Sequence, residues 1–208
     1  MSCRQKSSQI CSICIGICWN RGDHRQISAC FQDHARFEFT IRETVGIGDL
    51  HGQRLGAMRS GAAIDTALDR AGALQLVAEL PNGVDTQLGS SWPGGVDLSG
   101  GQWQKLSLAR GLMRDSPLLL LLDEPAAALD PVTEHNLFER WTRASRHASA
   151  TRGGVTVVVS HRFSTVQTAD LILVLDRGRV LEFGTHADLI ARGGRYAEMY
   201  ELQARSYR

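Results

Sequence analysis

A chain of 208 residues has the length of one domain, or of one domain with a small insert. Its 43% hydrophobic and 22% charged residues are ordinary for a globular protein that can bury a real core. A net charge of +1 with no polybasic block argues against nucleic acid as a partner, and no apolar run reaches the ~18 residues that a membrane-crossing helix needs.

All five cysteines fall in the first 30 residues. Cys11-x-x-Cys14 has the spacing of a metal or redox pair, but no second pair follows it. The run from Ile10 to Cys18 also reads as a helix in which cysteine acts as a small hydrophobe, and this is the preferred expectation. Arg4 and Lys6 precede that run as basic residues precede a signal peptide. No small-residue cleavage site follows, so a reduced cytoplasmic compartment is expected.

Ile27-Ser28-Ala29-Cys30-Phe31 reads as a strand, with Gln32-Asp33 at its end. Residues 50–90 are polar and alanine-rich. Ile64, Leu68, Ala71 and the leucines at 74 and 76 predict two short helices, ended by Pro81-Asn82-Gly83. A glycine-rich loop over 89–96 leads into Ser99-Gly100-Gly101-Gln102, where a loop turns into a helix. Glycine there allows close backbone approach, and the N–H groups of a helix start suit a phosphate.

Trp103, Leu106, Leu108, Ala109, Leu112 and Met113 are spaced for one apolar face of that helix, and Asp115-Ser116-Pro117 stops it. The leucines of 118–122 predict a strand buried on both faces, which delivers Asp123 and Glu124 to its C-terminal end. Ligands bind at that end in open α/β sheets. Pro125 ends the strand, and a loop through Asp130 reaches Pro131 at the start of a helix over 132–146 with Leu137 and Trp141 on one side. A surface loop over 148–154 precedes a second buried strand over 155–160, with His161 at its end. Strands over 171–175 and 179–183, and helices near 187–191 and 196–203, complete the chain.

Leu98-Ser99-Gly100-Gly101-Gln102, set one helix upstream of a leucine-rich strand ending in Asp123-Glu124, resembles the nucleotide-binding domain of ATP-binding cassette (ABC) transporters. These segments are similar to its LSGGQ signature, Walker B strand and D-loop. Phe37-Glu38-Phe39-Thr40-Ile41-Arg42-Glu43 after Gln32 resembles the exporter branch, as does the stretch from Leu175 to His186. The resemblance covers residues 27–208. It implies an α/β fold, a P-loop NTPase-like ABC ATPase core with a helical subdomain at about 50–115. Residues 1–26 depart from it as a degenerate or truncated P-loop region. The family opens on a strand and GxxxxGK[ST], whose backbone and Lys cradle phosphates while its Ser/Thr holds magnesium. Here Lys6-Ser7-Ser8 reads either as the tail of such a loop, with Gln5 in place of its last glycine, or as a chance KSS beside an unrelated apolar stretch. The spacing from Lys6 to Gln32 is also short, which removes the antiparallel strands that stack against adenine, and Trp19 does not replace their aromatic.

By this resemblance the ligands are ATP and Mg2+. Asp123 and Gln32 would hold the magnesium shell, with Ser7 from the P-loop. Glu124 would act as general base on the attacking water. His161 would bridge the γ-phosphate and the loop carrying Asp130 of an opposite subunit. Lys6, Ser7 and Ser8 would contact the chain's own nucleotide, while Ser99, Gly100, Gly101 and Gln102 would face ATP held by a second cassette in a head-to-tail dimer. Ala127 stands where the D-loop usually has Ser.

The implied function is the ATPase subunit of an exporter. It would lie in the cytoplasm at the inner face of the membrane, against a transmembrane domain that is missing upstream or on another chain. The incomplete P-loop predicts slow ATP hydrolysis, or none, by the chain alone. The alternative is an impaired cassette that lends its signature to a partner ATPase. A DNA-maintenance ATPase would need coiled-coil heptads, which are absent. Trp103-Gln104-Lys105 is similar to peptide exporters but does not identify a cargo.

Overall fold

The computed structural model describes residues 26–33, 35–50, 61–115, 117–125, 137–138 and 153–206, which fall into two compact units divided in the chain between His161 and Arg162. Lys6, Ser7, Ser8, the cysteine run, Trp19, Ala127 and Asp130 lie outside the described residues. So does most of the helix expected over 132–146, of which Leu137 and Phe138 are described as helical and buried.

The unit ending at His161 is built on three parallel strands, β1 (Ile27–Cys30), β2 (Leu119–Asp123) and β3 (Val155–Val159), in the order β1-β2-β3. Parallel neighbours need long crossovers, and the first of these carries the helices. β2 is central, with Leu119 paired to Ile27 on one side and to Val155 on the other. The expectation that residues 118–122 are buried on both faces is met only at Leu122. Leu119 to Leu121 are half-buried, and Leu118 lies outside the strand and exposed. β3 departs further, since Val155 (58%) and Val158 (37%) are exposed. Among the described residues β3 is an edge strand, so same-face neighbours reach it from one flank only. Phe31, expected at the end of the first strand, falls outside β1 and is exposed.

Helix α1 (Ile41–Gly46) starts at a reciprocal capping box between Thr40 and Glu43, which satisfies two of the backbone N–H groups at the helix start. A 3-10 turn (Ile47–Asp49) follows. The two short helices expected before Pro81 are α2 (Gly61–Arg70) and α3 (Leu74–Ala78). Ile64, Leu68, Ala71 and Leu76 are buried as their spacing requires, whereas Leu74 points outward.

Helix α4 (Gly100–Gly111) fills the middle of this unit. The sequence predicts one apolar face, but Gln104 and Ser107 are buried alongside Trp103, Leu106, Leu108 and Ala109, so most of its circumference is covered. α1, α2 and β1 pack against it. Close approach at its C-terminal end needs glycine. A Cβ on Gly48 would lie 1.9 Å from the Arg110 carbonyl oxygen, and one on Gly111 3.0 Å from that of Ala29. Just beyond the helix, Arg114 donates to the carbonyls of Ile27 (3.0 Å) and Gly48 (3.4 Å), tying β1 to the turn after α1.

The unit from Arg162 onward comprises α5 (Phe163–Val166), an antiparallel hairpin of β4 (Ile172–Asp176) and β5 (Arg179–Gly184), α6 (His186–Arg192) and α7 (Arg195–Ser206). The expected strands and helices fall within a few residues of these bounds. The hairpin turns on Arg177 (φ 47°) and Gly178 (φ 76°), the positive pair of a two-residue turn that matches strand twist. Its small core joins Ile172, Leu189 and Tyr196, with Phe163 packed edge-on against Tyr196.

Leu106 is fully buried inside α4, whereas Leu181 on β5 is exposed. Leu106→Ala is expected to lower unfolding stability by about 2–5 kcal/mol, and Leu181→Ala to change it by less than about 0.5 kcal/mol. Urea denaturation of the two variants beside the parent chain measures both.

Candidate functional site

The site gathers where β2 and β3 end. Parallel pairing puts Asp123 opposite Val159, so the carboxylates that leave β2 arrive beside the residues that leave β3. Glu124 is almost fully buried and takes φ +46°, a left-handed backbone that costs a residue with a side chain about 1–2 kcal/mol. Four hydrogen bonds hold it there. Its N–H donates to the Val159 carbonyl at 2.9 Å, and its carbonyl accepts from Gln104 Nε2 at 2.9 Å. Its Oε1 accepts from the His161 backbone N–H at 3.1 Å and lies 2.7 Å from His161 Nδ1. A carboxylate only accepts, so Nδ1 carries the proton in that contact and Nε2 is the ring nitrogen left to meet a ligand. The His161 side chain is 57% exposed and that of Glu124 only 11%, so the pair presents imidazole outward and carboxylate inward.

Asp123 lies next to this pair. Burial, then the charges of Glu124 and Asp33, push its carboxyl above the ordinary value, against a hydrogen bond from the Gln32 backbone. Gln32, expected at the site from its place after the first strand, therefore does reach Asp123, through its main chain. A cation beside Asp123 would lower the cost of its charge. Among the described residues no three Asp, Glu, His or Cys side chains could by themselves hold a metal ion. Magnesium takes only one or two carboxylates and fills its octahedron with water and substrate phosphates, and Asp123 could supply one.

The residues Ser99 to Gln102 form the start of α4. Ser99 caps the helix, its Oγ accepting from the Gln102 N–H (3.3 Å) while its own N–H donates to Gln102 Oε1 (2.8 Å). The Gln102 side chain, expected to meet ligand, is thus folded back into the cap. Gly100 and Gly101 sit in the first turn, where backbone N–H groups have no carbonyl one turn earlier to bond, and a Cβ at Gly100 would meet nothing within 4 Å. The helix start is an open, donor-lined surface suited to an anion. It connects to the carboxylates through Gln104, a contact the sequence does not announce, because a lone glutamine in an amphipathic helix ordinarily faces water. The one available signal is its place between two buried positions, Trp103 and Leu106.

Between residues 36–39 and Ser91-Trp92 the chain forms an open groove of about 540 Å3 lined by Phe37, Phe39 and Trp92 among others. Phe37 and Phe39 stack 5.9 Å apart, and the Arg110 guanidinium lies 4.8 Å from the Phe37 ring. No helix among the described residues is long and apolar enough to cross a membrane.

The profile of the ABC transporter family matches residues 16–127. An ATP-dependent lipid A-core flippase of Pseudomonas fluorescens (strain Pf0-1) is 41% identical over 180 residues, covering 84% of this chain and 26% of that protein. The protein of the same name from Aromatoleum aromaticum is 37% identical over 181 residues, covering 87% and 28%. Among solved structures, a bacterial Atm1-family ABC exporter with ATP bound matches with a TM-score of 0.71 at 36% identity, covering 86% of this chain and 28% of that one. The chain spans about a quarter of the length of the curated relatives it matches. With an α/β core, a donor-lined helix start and a carboxylate–histidine pair at the ends of parallel strands, the chain belongs to the ABC transporter family.

Proposed function

We propose that this chain is the ATP-binding and ATP-hydrolysing cassette of an ABC exporter, with residues 27–208 as the ATPase domain and about 50–115 as its helical subdomain. The observation that carries the proposal is the Glu124–His161 contact at the end of the central strand, with Asp123 and Gln32 beside it.

Phosphoryl transfer to water asks for positioning and charge neutralisation more than for covalent chemistry. Magnesium, when bound, neutralises charge on the transferring phosphate. Asp123 and Gln32 would hold its water shell, with Ser7 contributing from the N-terminal segment. Glu124 Oε1 lies at 2.7 Å from His161 Nδ1, so the carboxylate is fixed in direction and its other oxygen can take a proton from the attacking water. His161, carrying a proton on each ring nitrogen, would turn its Nε2–H to the γ-phosphate and make its contact with Asp130 of an opposite subunit. Lys6, Ser7 and Ser8 would meet the chain's own nucleotide. The N–H groups of Gly100 and Gly101, with Ser99 and Gln102 shaping the turn, would meet the γ-phosphate of ATP held by a second cassette.

That arrangement makes ATP a shared ligand between two head-to-tail cassettes. The helical subdomain would touch the transmembrane partner, which would keep this domain at the inner face of the membrane.

ATP turnover by the purified chain with Mg2+, expected to be slow because the P-loop is incomplete, is compared with that of Glu124→Gln to test the proposal. The variant is expected to lose turnover by about 10²–10⁴-fold while retaining nucleotide in equilibrium dialysis. Equal and measurable turnover by the two proteins, or no retention of nucleotide by either, would overturn it.

Asp123 gives a second test. Its folded-state value is raised, so folding favours the protonated acid, and ionisation above that value weakens the metal-free fold. Asp123→Asn is therefore expected to melt at a higher temperature than the parent at neutral pH without Mg2+. The advantage should shrink as pH falls through the raised value and vanish below the ordinary aspartate value of ~3.9. Adding Mg2+ with ATP should stabilise the parent more than the variant, as thermal melts across pH will register.

A further inference from the structure

We propose that Gln104 is a positioning residue, which sets the backbone of Glu124 and through it the direction of the carboxylate that meets His161. The inference rests on Glu124 being the general base and goes on to say what aims it.

Glu124 stands at φ +46°, a conformation that side-chain-bearing residues leave unless something holds them. The next residue is Pro125, fully buried, which has no N–H and whose ring biases the residue before it toward extended backbone. The peptide after Glu124 can therefore be fixed by hydrogen bonding only at its carbonyl oxygen, and that oxygen accepts from Gln104 Nε2 at 2.9 Å. On the preceding side, the Glu124 N–H is fixed by the Val159 carbonyl at 2.9 Å. One bond restrains rotation before the Cα and the other rotation after it. Together they fix the direction of the Cα–Cβ bond, and so where the carboxylate goes.

Gln104 can do this because it is itself immobile. It is 6% exposed, it projects from a helix covered on most sides, and water cannot readily replace its amide there. It is also the fifth residue after the cap Ser99, so one rigid turn and a half of helix joins the anion-suited helix start to the backbone of the base.

The test uses two variants of the full chain. Gln104→Met keeps length and bulk but removes the donor. Gln104→Glu keeps the shape and, as a carboxylate at about pH 8, has no hydrogen to give. The first readout is the tautomer of His161, from long-range 15N–1H correlation at about pH 8, above the ordinary histidine range. In the parent, the Glu124 contact should hold His161 in the Nδ1–H form, and Glu124→Gln supplies the reference for its loss. Each Gln104 variant is expected to shift the ring toward the Nε2–H form. The second readout is turnover, where kcat should fall at least tenfold with KM for ATP changed less than twofold.

Unchanged His161 tautomer in a folded variant would overturn the inference, as would an equal change in kcat and KM. If Gln104→Met does not fold, Gln104→Glu decides alone. If the parent shows no turnover, an outcome the incomplete P-loop allows for the chain alone, the tautomer decides the role of Gln104 and nucleotide retention decides the ATPase proposal.

Discussion

A helix covered around most of its circumference has no free face toward which to shift, and α4 is such a helix in the unit that ends at His161. Its buried side chains touch the helical segment on one side and the sheet on the other. Its C-terminal end is pressed against β1 and the turn after α1 by glycine contacts and by Arg114, while its N-terminal end opens to solvent. A ligand that engages the open end meets a body already set by packing. The order this requires is supplied by elementary devices: a capping box at the start, glycine where backbone approaches backbone, and arginine donors on carbonyls that would otherwise lack partners.

The electrostatics of the site oppose those of the fold. Burial first, and then the charges of Glu124 and Asp33, hold the Asp123 carboxyl above its ordinary value in a protein whose net charge is nearly zero. Such a cluster weakens the empty fold. A cation beside Asp123 would relieve that cost in one step. The open start of α4 supplies the other polarity, backbone N–H groups with no carbonyl one turn earlier to bond.

Much of this was legible in the sequence for identifiable reasons. The loop-to-helix turn at Ser99 could be placed because glycine pairs after a serine punctuate strongly, and the structure finds the cap on that residue. The strand carrying Asp123 was visible as a leucine run between turn signals, and the late hairpin as two runs flanking Arg177-Gly178. Burial was harder to foresee. Val155 and Val158 belong to a β-branched run that reads as interior, yet a run of this kind reports strand preference and not what covers it. Gln104 went unseen for the opposite reason, since polarity reads as exposure. The left-handed backbone of Glu124 left no trace at all, because sequence signals such a conformation only when glycine or asparagine occupies it. Lys6, Ser7, Ser8 and Asp130 lie outside the described residues and stand as proposals.

The positive φ at Glu124 also bears on how this chain can change over generations. Glycine would sit there without strain, and asparagine with little, so the two replacements that best suit the backbone both remove the carboxylate. Durability and chemistry thus pull position 124 in opposite directions. A lineage released from hydrolysing ATP would gain robustness by surrendering this side chain, and one that keeps hydrolysing must carry the strain as a standing load on its fold.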